Sequence, residues 1–181
     1  MSTKRYAITV EIDRMRPHPL QETIYGETTV DDAFVESIRR TGLLQMPVIK
    51  QVGDDITIIS GHRRVVGAKL AGLTKVDCEV RVYENAEEEE FDFLTANKTR
   101  EKNITQILAE IERYKQISRQ RLMGKFSKAL RKSDVIENTD DGAPHQLGMS
   151  NAEIARITGL SYSTLKEYTC VFDKDYRDGV I

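Results

Sequence analysis

A chain of 181 residues, 39% hydrophobic and 31% charged, can bury one good core and a second small one, so one or two domains are expected. No stretch approaches the roughly 18 uninterrupted apolar residues of a membrane span. The start, Met1-Ser2-Thr3-Lys4-Arg5, lacks the apolar run of a secretory signal, so a cytoplasmic protein with no membrane partner is expected. The formal net charge of -2 says nothing about a nucleic-acid partner, because it averages over two blocks of opposite sign.

Tyr6 to Ile12 alternates polar and apolar residues in a β-branched-rich run and reads as a half-buried strand. Pro17 and Pro19 then predict an extended loop. Thr29 is the expected cap of a helix over 30–41, with Asp31 and Asp32 at the positive end of its dipole, Phe34, Val35 and Ile38 on one face and Gly42 as the stop. Pro47 to Gln51 and Ile56 to Ser60, separated by Gly53-Asp54-Asp55, predict a hairpin. Its second strand runs straight into Gly61. A helix over 63–71 with apolar positions Val65, Val66, Ala68 and Leu70, closed by Gly72, leads to a strand over 76–83.

An acidic helix is expected over 86–96, within a block holding Glu84, Glu87, Glu88, Glu89, Glu90 and Asp92 and no base. A long helix from Ile104 to about Lys132 follows, with Ile107, Leu108, Ile111, Tyr114 and Ile117 at helical spacing. The stretch from Lys98 to Lys132 is strongly basic and reads either as a track for a phosphate backbone or as a solvated face paired with local acids. Ser133 to Gly148 has linker composition. Cys78 and Cys170 lie far apart with no partner at metal-ligand spacing, and both are expected as buried thiols.

The turn at Gly61 carries the clearest chemistry. A glycine between a buried strand and a helix permits a sharp turn and leaves the first helical amides free to meet an anion. Arg63 and Arg64 fall in the first helical turn, where positive side chains oppose the macrodipole at a cost of roughly 0.3–1 kcal/mol each. A phosphate chain held by the amides and flanked by two guanidinium groups would reverse that cost. The alternative is that the arginines pair with carboxylates such as Asp31, Asp32 or those of the acidic helix.

The segments Gly42-Leu43-Leu44-Gln45-Met46-Pro47-Val48-Ile49, Ile58-Ile59-Ser60-Gly61-His62-Arg63-Arg64 with Ala68 and Gly72, and Asn97-Lys98-Thr99-Arg100-Glu101 resemble, in order and spacing, the three boxes of the ParB N-terminal domain. The resemblance covers about residues 6 to 115. It implies an α+β fold, a small mixed sheet with helices of the ParB/sulfiredoxin kind, followed by an all-α helix-turn-helix region. The implied domains are a nucleotide-binding unit over 1–100 and a helical DNA-binding unit over 101–181. In ParB-like proteins the boxes form a CTP pocket whose occupancy controls clamping on DNA. Carried across, Gly61, His62, Arg63 and Arg64 would hold the triphosphate, Gln45 and Arg100 would lie near the nucleotide, and Asn97 would serve the phosphate and a Mg²⁺ ion. Two positions depart from the family pattern: His62 stands where Glu is most frequent, and Ala96-Asn97 where Glu-Asn opens the third box. Losing that carboxylate weakens metal coordination, so binding is favoured over turnover, with a weak CTPase as the most that is implied.

Near the C-terminus, Ser150-Asn151-Ala152-Glu153 resembles a capping box, and Ile154, Ala155, Gly159, Leu160 and Leu165 sit where a helix-turn-helix needs its core and turn. The motif is expected at about 150–170. Ser161 would cap a second helix, Tyr162 to Tyr168, and Ser161, Tyr162, Ser163, Thr164 and Lys166 are the expected DNA-facing residues. With no arginine for bidentate guanine contacts, the sequence code is unreadable. The alternative is an ordinary helical hairpin. ParB-like chains usually continue with more helices and a dimerisation domain, so the end at Ile181 fits either a compact relative or a fragment.

The leading reading is a CTP-responsive protein that binds double-stranded DNA, in plasmid or chromosome partition or in regulation on a mobile element. Its expected companions are a second copy of itself, a partition ATPase and the nucleoid or plasmid. A second reading is a helix-turn-helix transcriptional regulator whose pocket is not catalytic. A third is a nuclease or phosphotransferase on the same fold, for which Glu22, Glu27, Asp31 and Asp32 are candidate acids without a catalytic signature. The absence of a cysteine in Gly61-His62-Arg63-Arg64 argues against sulfiredoxin chemistry.

Overall fold

Alternating β-branched residues in the first strand find their partners late in the sequence. Strand β1 (Arg5–Glu11) pairs antiparallel with β5 (Lys75–Arg81), setting Tyr6 opposite Val80, Ile8 opposite Cys78 and Val10 opposite Val76. Period-two geometry sends those side chains to one face. The other face of the pair is polar: the Thr9 hydroxyl donates to Asp77 at 2.6 Å, and Lys75 faces Glu11 at 3.5 Å. The computed structural model describes residues 4–130 and 151–167, and its backbone contacts group into two units, Met1–Asn97 and Lys98–Ile181.

In the first unit, β2 (Met15–Pro17), β3 (Val48–Val52) and β4 (Asp55–Ser60) complete a five-stranded mixed sheet in the order β1-β5-β3-β4-β2. The predicted hairpin is β3 and β4, antiparallel around Gly53, which has φ of 58°. β3 runs parallel to β5, and β2 parallel to β4. Between Val48 and Ile49 the hairpin register shifts, because Val48 pairs with Ser60 while Ile49 already pairs with Ile58. Ile59 is the extra residue of this bulge, and Ile58 and Ile59 are both buried.

Two helices cover one face of the sheet. α1 (Asp32–Thr41) and α2 (His62–Leu70) lay Ile38, Val65 and Ala68 on Val10, Ile49, Ile56, Ile58, Val76, Cys78 and Val80, which form the principal core. The two helices approach closely at Gly67, where an added Cβ would lie 2.7 Å from Ile38 Cδ1 and 3.0 Å from Phe34 Cε1. α3 (Ala86–Ala96) is tied to the sheet by its acids. Lys50, whose neighbour Ile49 faces the core, donates to Glu89 at 2.5 Å, and Asp92 accepts from Arg81 and from the Tyr83 hydroxyl, each at 2.7 Å. Burial and the adjacent Asp92 push the Tyr83 phenol well above its ordinary range. The acidic block is therefore partly internal wiring.

In the second unit, α4 (Ile104–Leu130) and α5 (Asn151–Thr158) share a small core of Ile111, Ile154, Ala155 and Leu165, with Ile107 and Leu160 packed against it. Gly159, with φ of 78°, turns the chain after α5, and a helix over 162–167 follows. Among the described residues no helix is long and apolar enough to cross a membrane.

The structure differs from the sequence expectations in particular places. The cap of α1 is Asp31, not Thr29: the Asp31 carboxylate accepts from the Phe34 amide at 2.8 Å, so the helix starts at Asp32. The Pro17 to Pro19 segment is not wholly loop, since Met15–Pro17 adds the edge strand and Gln21–Tyr25 winds into a single π-helical turn. Leu70 is 59% exposed, because it lies on the solvent side of the helix whose buried stripe is Val65 and Ala68. The expected linker over 133–148, Ser150, Tyr168 and Cys170 lie outside the described residues.

Candidate functional site

The hairpin delivers Gly61 to the start of α2 in the left-handed region, φ 94° and ψ 25°, a conformation glycine adopts at little cost. Asp31 caps α1 and Asn85 caps α3, the latter accepting from the Glu88 amide at 2.9 Å. At α2 the cap residue is Gly61, and no side chain takes the first amides. A Cβ on Gly61 would lie 3.2 Å from Pro47 Cα and 3.2 Å from Arg64 Cζ and Nε. The Cβ side of Gly61 is thus closely walled by the loop over 42–47 and by the Arg64 guanidinium.

Arg64 holds that loop. Its Nη1 donates to the Gln45 carbonyl at 3.1 Å and to the Met46 carbonyl at 2.9 Å. Partial burial pulls its guanidinium below the ordinary arginine value. Gln45 is therefore brought to the turn through its backbone. In the same loop, the Leu44 side chain is 88% exposed. Arg63 behaves differently: its Nη2 lies 3.4 Å from the Asp31 carboxylate, and its Cζ stands 5.4 Å from the Phe34 ring centroid. The carboxylate-pairing alternative thus describes Arg63, through a long and exposed ion pair worth little in water, whereas Arg64 spends its Nη1 on backbone carbonyls.

His62 points away from the turn into the interior, 8% exposed. Its Nε2 accepts the His18 backbone N–H at 3.2 Å, and its ring meets Phe93 edge-on at 5.8 Å. His18 stacks on the same Phe93 at 4.2 Å and accepts the Leu20 amide on Nδ1 at 3.1 Å. Nothing in the sequence pattern marked His18, Lys50, Glu89 or Phe93 as a group. The parallel pairing of β2 with β4 is what sets His18 beside His62, since Pro17 sits opposite Ile58.

Asn97 ends α3. Its Nδ2 donates to the Phe93 carbonyl at 3.0 Å and its backbone N–H to Leu94 at 3.1 Å, so the side chain finishes the helix that carries Phe93. A metal would have to take its Oδ1. Among the described residues no three His, Cys, Asp or Glu side chains cluster as metal ligands, and with alanine at 96 the third box supplies no carboxylate beside Asn97. The residues present do not fit a protein-built Mg²⁺ site. Arg100 belongs to the second unit, after α3 has ended.

In that second unit Ser161 caps the helix over 162–167, its Oγ accepting the Thr164 amide at 3.1 Å. The same hydroxyl bonds Ser163 Oγ at 2.9 Å and Thr164 Oγ1 at 2.7 Å. Tyr162 and Lys166 are exposed beside this hydroxyl cluster.

Residues 2–98, more than half of the chain, match the ParB N-terminal domain. The chain belongs to the ParB N-terminal domain family. A "Probable plasmid-partitioning protein ParB" of Xylella fastidiosa is 35% identical over 81 residues, which is 45% of this chain and 20% of that protein. One from Thermus thermophilus is 39% identical over 49 residues, 27% of this chain and 16% of the relative. The matched segments thus span a fifth or less of these relatives. Among solved structures, the C2221 form of the pNOB8-like ParB N-domain superposes with a TM-score of 0.59 at 14% identity, covering 91% of this chain and 68% of that one. A second pNOB8-like ParB N-domain structure gives a TM-score of 0.57 at 16% identity. At such identities the likeness is one of fold, and it bears out the α+β mixed sheet of the ParB kind.

Proposed function

We propose that this ParB-family chain is a nucleotide-responsive DNA-binding protein of the partition type, in which the Gly61 turn holds the triphosphate of CTP. The observation that carries the reading is the start of α2. It has a left-handed glycine, first amides that no side chain caps, and the Arg64 guanidinium beside Gly61. Backbone amides at a helix N-terminus with a planar cation beside them suit a phosphate. Gln45, His62, Arg63 and Asn97 complete the proposed nucleotide set, with Arg63 leaving Asp31 for the ligand and His62 shaping the turn; Arg100, which the family resemblance implies, lies in the second unit. Ser161, Tyr162, Ser163, Thr164 and Lys166 form the proposed DNA face, the capped helix entering the major groove. Mg²⁺, if bound, would be carried chiefly by the phosphates, and no hydrolytic step is assigned.

The test is calorimetry of the purified chain with each of the four ribonucleoside triphosphates, with and without Mg²⁺. Micromolar CTP binding is expected. Arg64→Ala is expected to weaken it about 10- to 100-fold, corresponding to the roughly 1.5–3 kcal/mol of a hydrogen bond to a charged group. No heat with any nucleotide from a folded protein would overturn the reading and favour a DNA-binding regulator with an unused pocket. The Arg63–Asp31 pair and Ala96 are the observations that favour that second reading.

A further inference from the structure

We propose that His62 is the positioning residue of the phosphate turn, holding the start of α2 to the Pro17-His18-Pro19 segment through a neutral imidazole. The inference rests on the reading of the Gly61 turn as a triphosphate site. Three observations carry it. The donor to His62 Nε2 is a backbone amide, so this nitrogen is unprotonated and the ring proton sits on Nδ1. The amide belongs to His18, 4% exposed, whose own ring is fixed by the Leu20 amide on Nδ1 and by stacking on Phe93. His18 Nε2 faces Glu89 at 3.8 Å, and Glu89 is held by Lys50 of β3. The segment that His62 grips is therefore itself clamped between α3 and the sheet, and it serves as a fixed anchor.

The consequence concerns the residue next door. Gly61 has no side chain with which to fix its own left-handed conformation, and Arg63 and Arg64 point to groups on the other side of the turn. His62 is the first helical residue, and its inward bond fixes the orientation at which the α2 amides leave the turn. His62 is aimed at the protein's own interior, so it contributes to the geometry of binding through the turn it holds.

Three variants test this. In His62→Gln the amide oxygen can occupy the place of Nε2 and accept the same N–H. His62→Asn is polar but too short to reach, and His62→Leu fills the space without an acceptor. Two readouts are used: hydrogen exchange of the His18 amide without nucleotide, and CTP affinity by calorimetry. Loss of the acceptor is expected to speed His18 exchange and weaken CTP by about tenfold in His62→Asn and His62→Leu, while His62→Gln stays within about threefold of wild type. Equal behaviour of Gln and Asn, or full affinity in His62→Asn, overturns the proposal, and His62→Asn keeps it testable should His62→Leu not fold. If wild type binds no nucleotide, the proposed function fails. The exchange data then judge the tether alone, which stands if Gln protects His18 and Asn does not, and falls otherwise.

Discussion

Replacing Gly61 with alanine acts on the site through two separable effects. The first is conformational: at φ 94° an L-residue with a Cβ is strained by roughly 1–2 kcal/mol. The second is steric, because the new Cβ would stand 3.2 Å from Pro47 Cα, a backbone atom that cannot move without shifting the loop over 42–47. Crowding of this kind costs about 1 kcal/mol or somewhat more. Against these, the stiffer unfolded chain returns about 0.4–1 kcal/mol. The net expectation is a destabilisation of about 2 kcal/mol, equivalent to roughly 10 °C in the melting of a domain of this size. The same Cβ meets the Arg64 guanidinium, so nucleotide binding should fall much further than stability. Gly61→Asn separates the two effects, since asparagine tolerates left-handed backbone yet keeps the Cβ. Urea unfolding should show Gly61→Asn more stable than Gly61→Ala, while calorimetry shows both deficient in CTP binding. A Gly61→Ala protein that binds CTP as wild type does would refute the picture of a backbone cradle closed by Pro47 and Arg64.

Other expectations follow from groups elsewhere in the chain. Burial first, and the neighbouring Asp77 second, push the Cys78 thiol up to about 11 from 9.0, so the folded state retains a proton that the unfolded state releases. Stability from this group is present below pH 9 and declines as pH rises towards 11, by on the order of 2–3 kcal/mol at most. A Cys78→Ala protein melted between pH 8 and 11 should lack that component of the decline. Lys102 and Glu110, with side chains 7% and 2% exposed, pair at 2.9 Å. Lys102→Met removes the ammonium partner of a buried carboxylate and should cost about 3 kcal/mol in urea unfolding; a loss below about 1 kcal/mol would mean that the pair is solvated. For the proposed DNA face, Lys166→Ala should weaken binding evenly across sequences and lower the salt slope by about 1 in gel shifts at several salt concentrations. An unchanged slope would remove Lys166 from the phosphate contacts.

Much of the fold was legible because its signals are local. The β3–β4 hairpin followed from a glycine turn between β-branched runs. The acidic helix ran over 86–96 as expected, bounded by Asn85 and Asn97. The Ser161 cap was readable from a serine preceding an amphipathic segment. The site was legible only in part. Gly61 announced its backbone, and the two arginines announced a charge in the wrong place. Their partners depend on contacts made across the fold, so sequence could not divide Arg63, paired with Asp31, from Arg64, bound to the carbonyls of 45 and 46. His18 was hidden for the same reason. Two flanking prolines read as loop, while a three-residue parallel edge strand brings the His18 backbone N–H to His62.

The bulge at Ile59 bears on whether this site could be transplanted. Strand residues alternate faces, and the extra residue resets that alternation one step before the chain reaches Ser60 and Gly61. Deleting one residue of β4 would leave Gly61-His62-Arg63-Arg64 intact as a string while changing the orientation at which it leaves the sheet. A search for equivalent turns, or an attempt to graft this one onto another sheet, should therefore treat Ile58-Ile59-Ser60 as part of the motif. The four residues after it carry the functional groups, and the three before it decide which way those groups face.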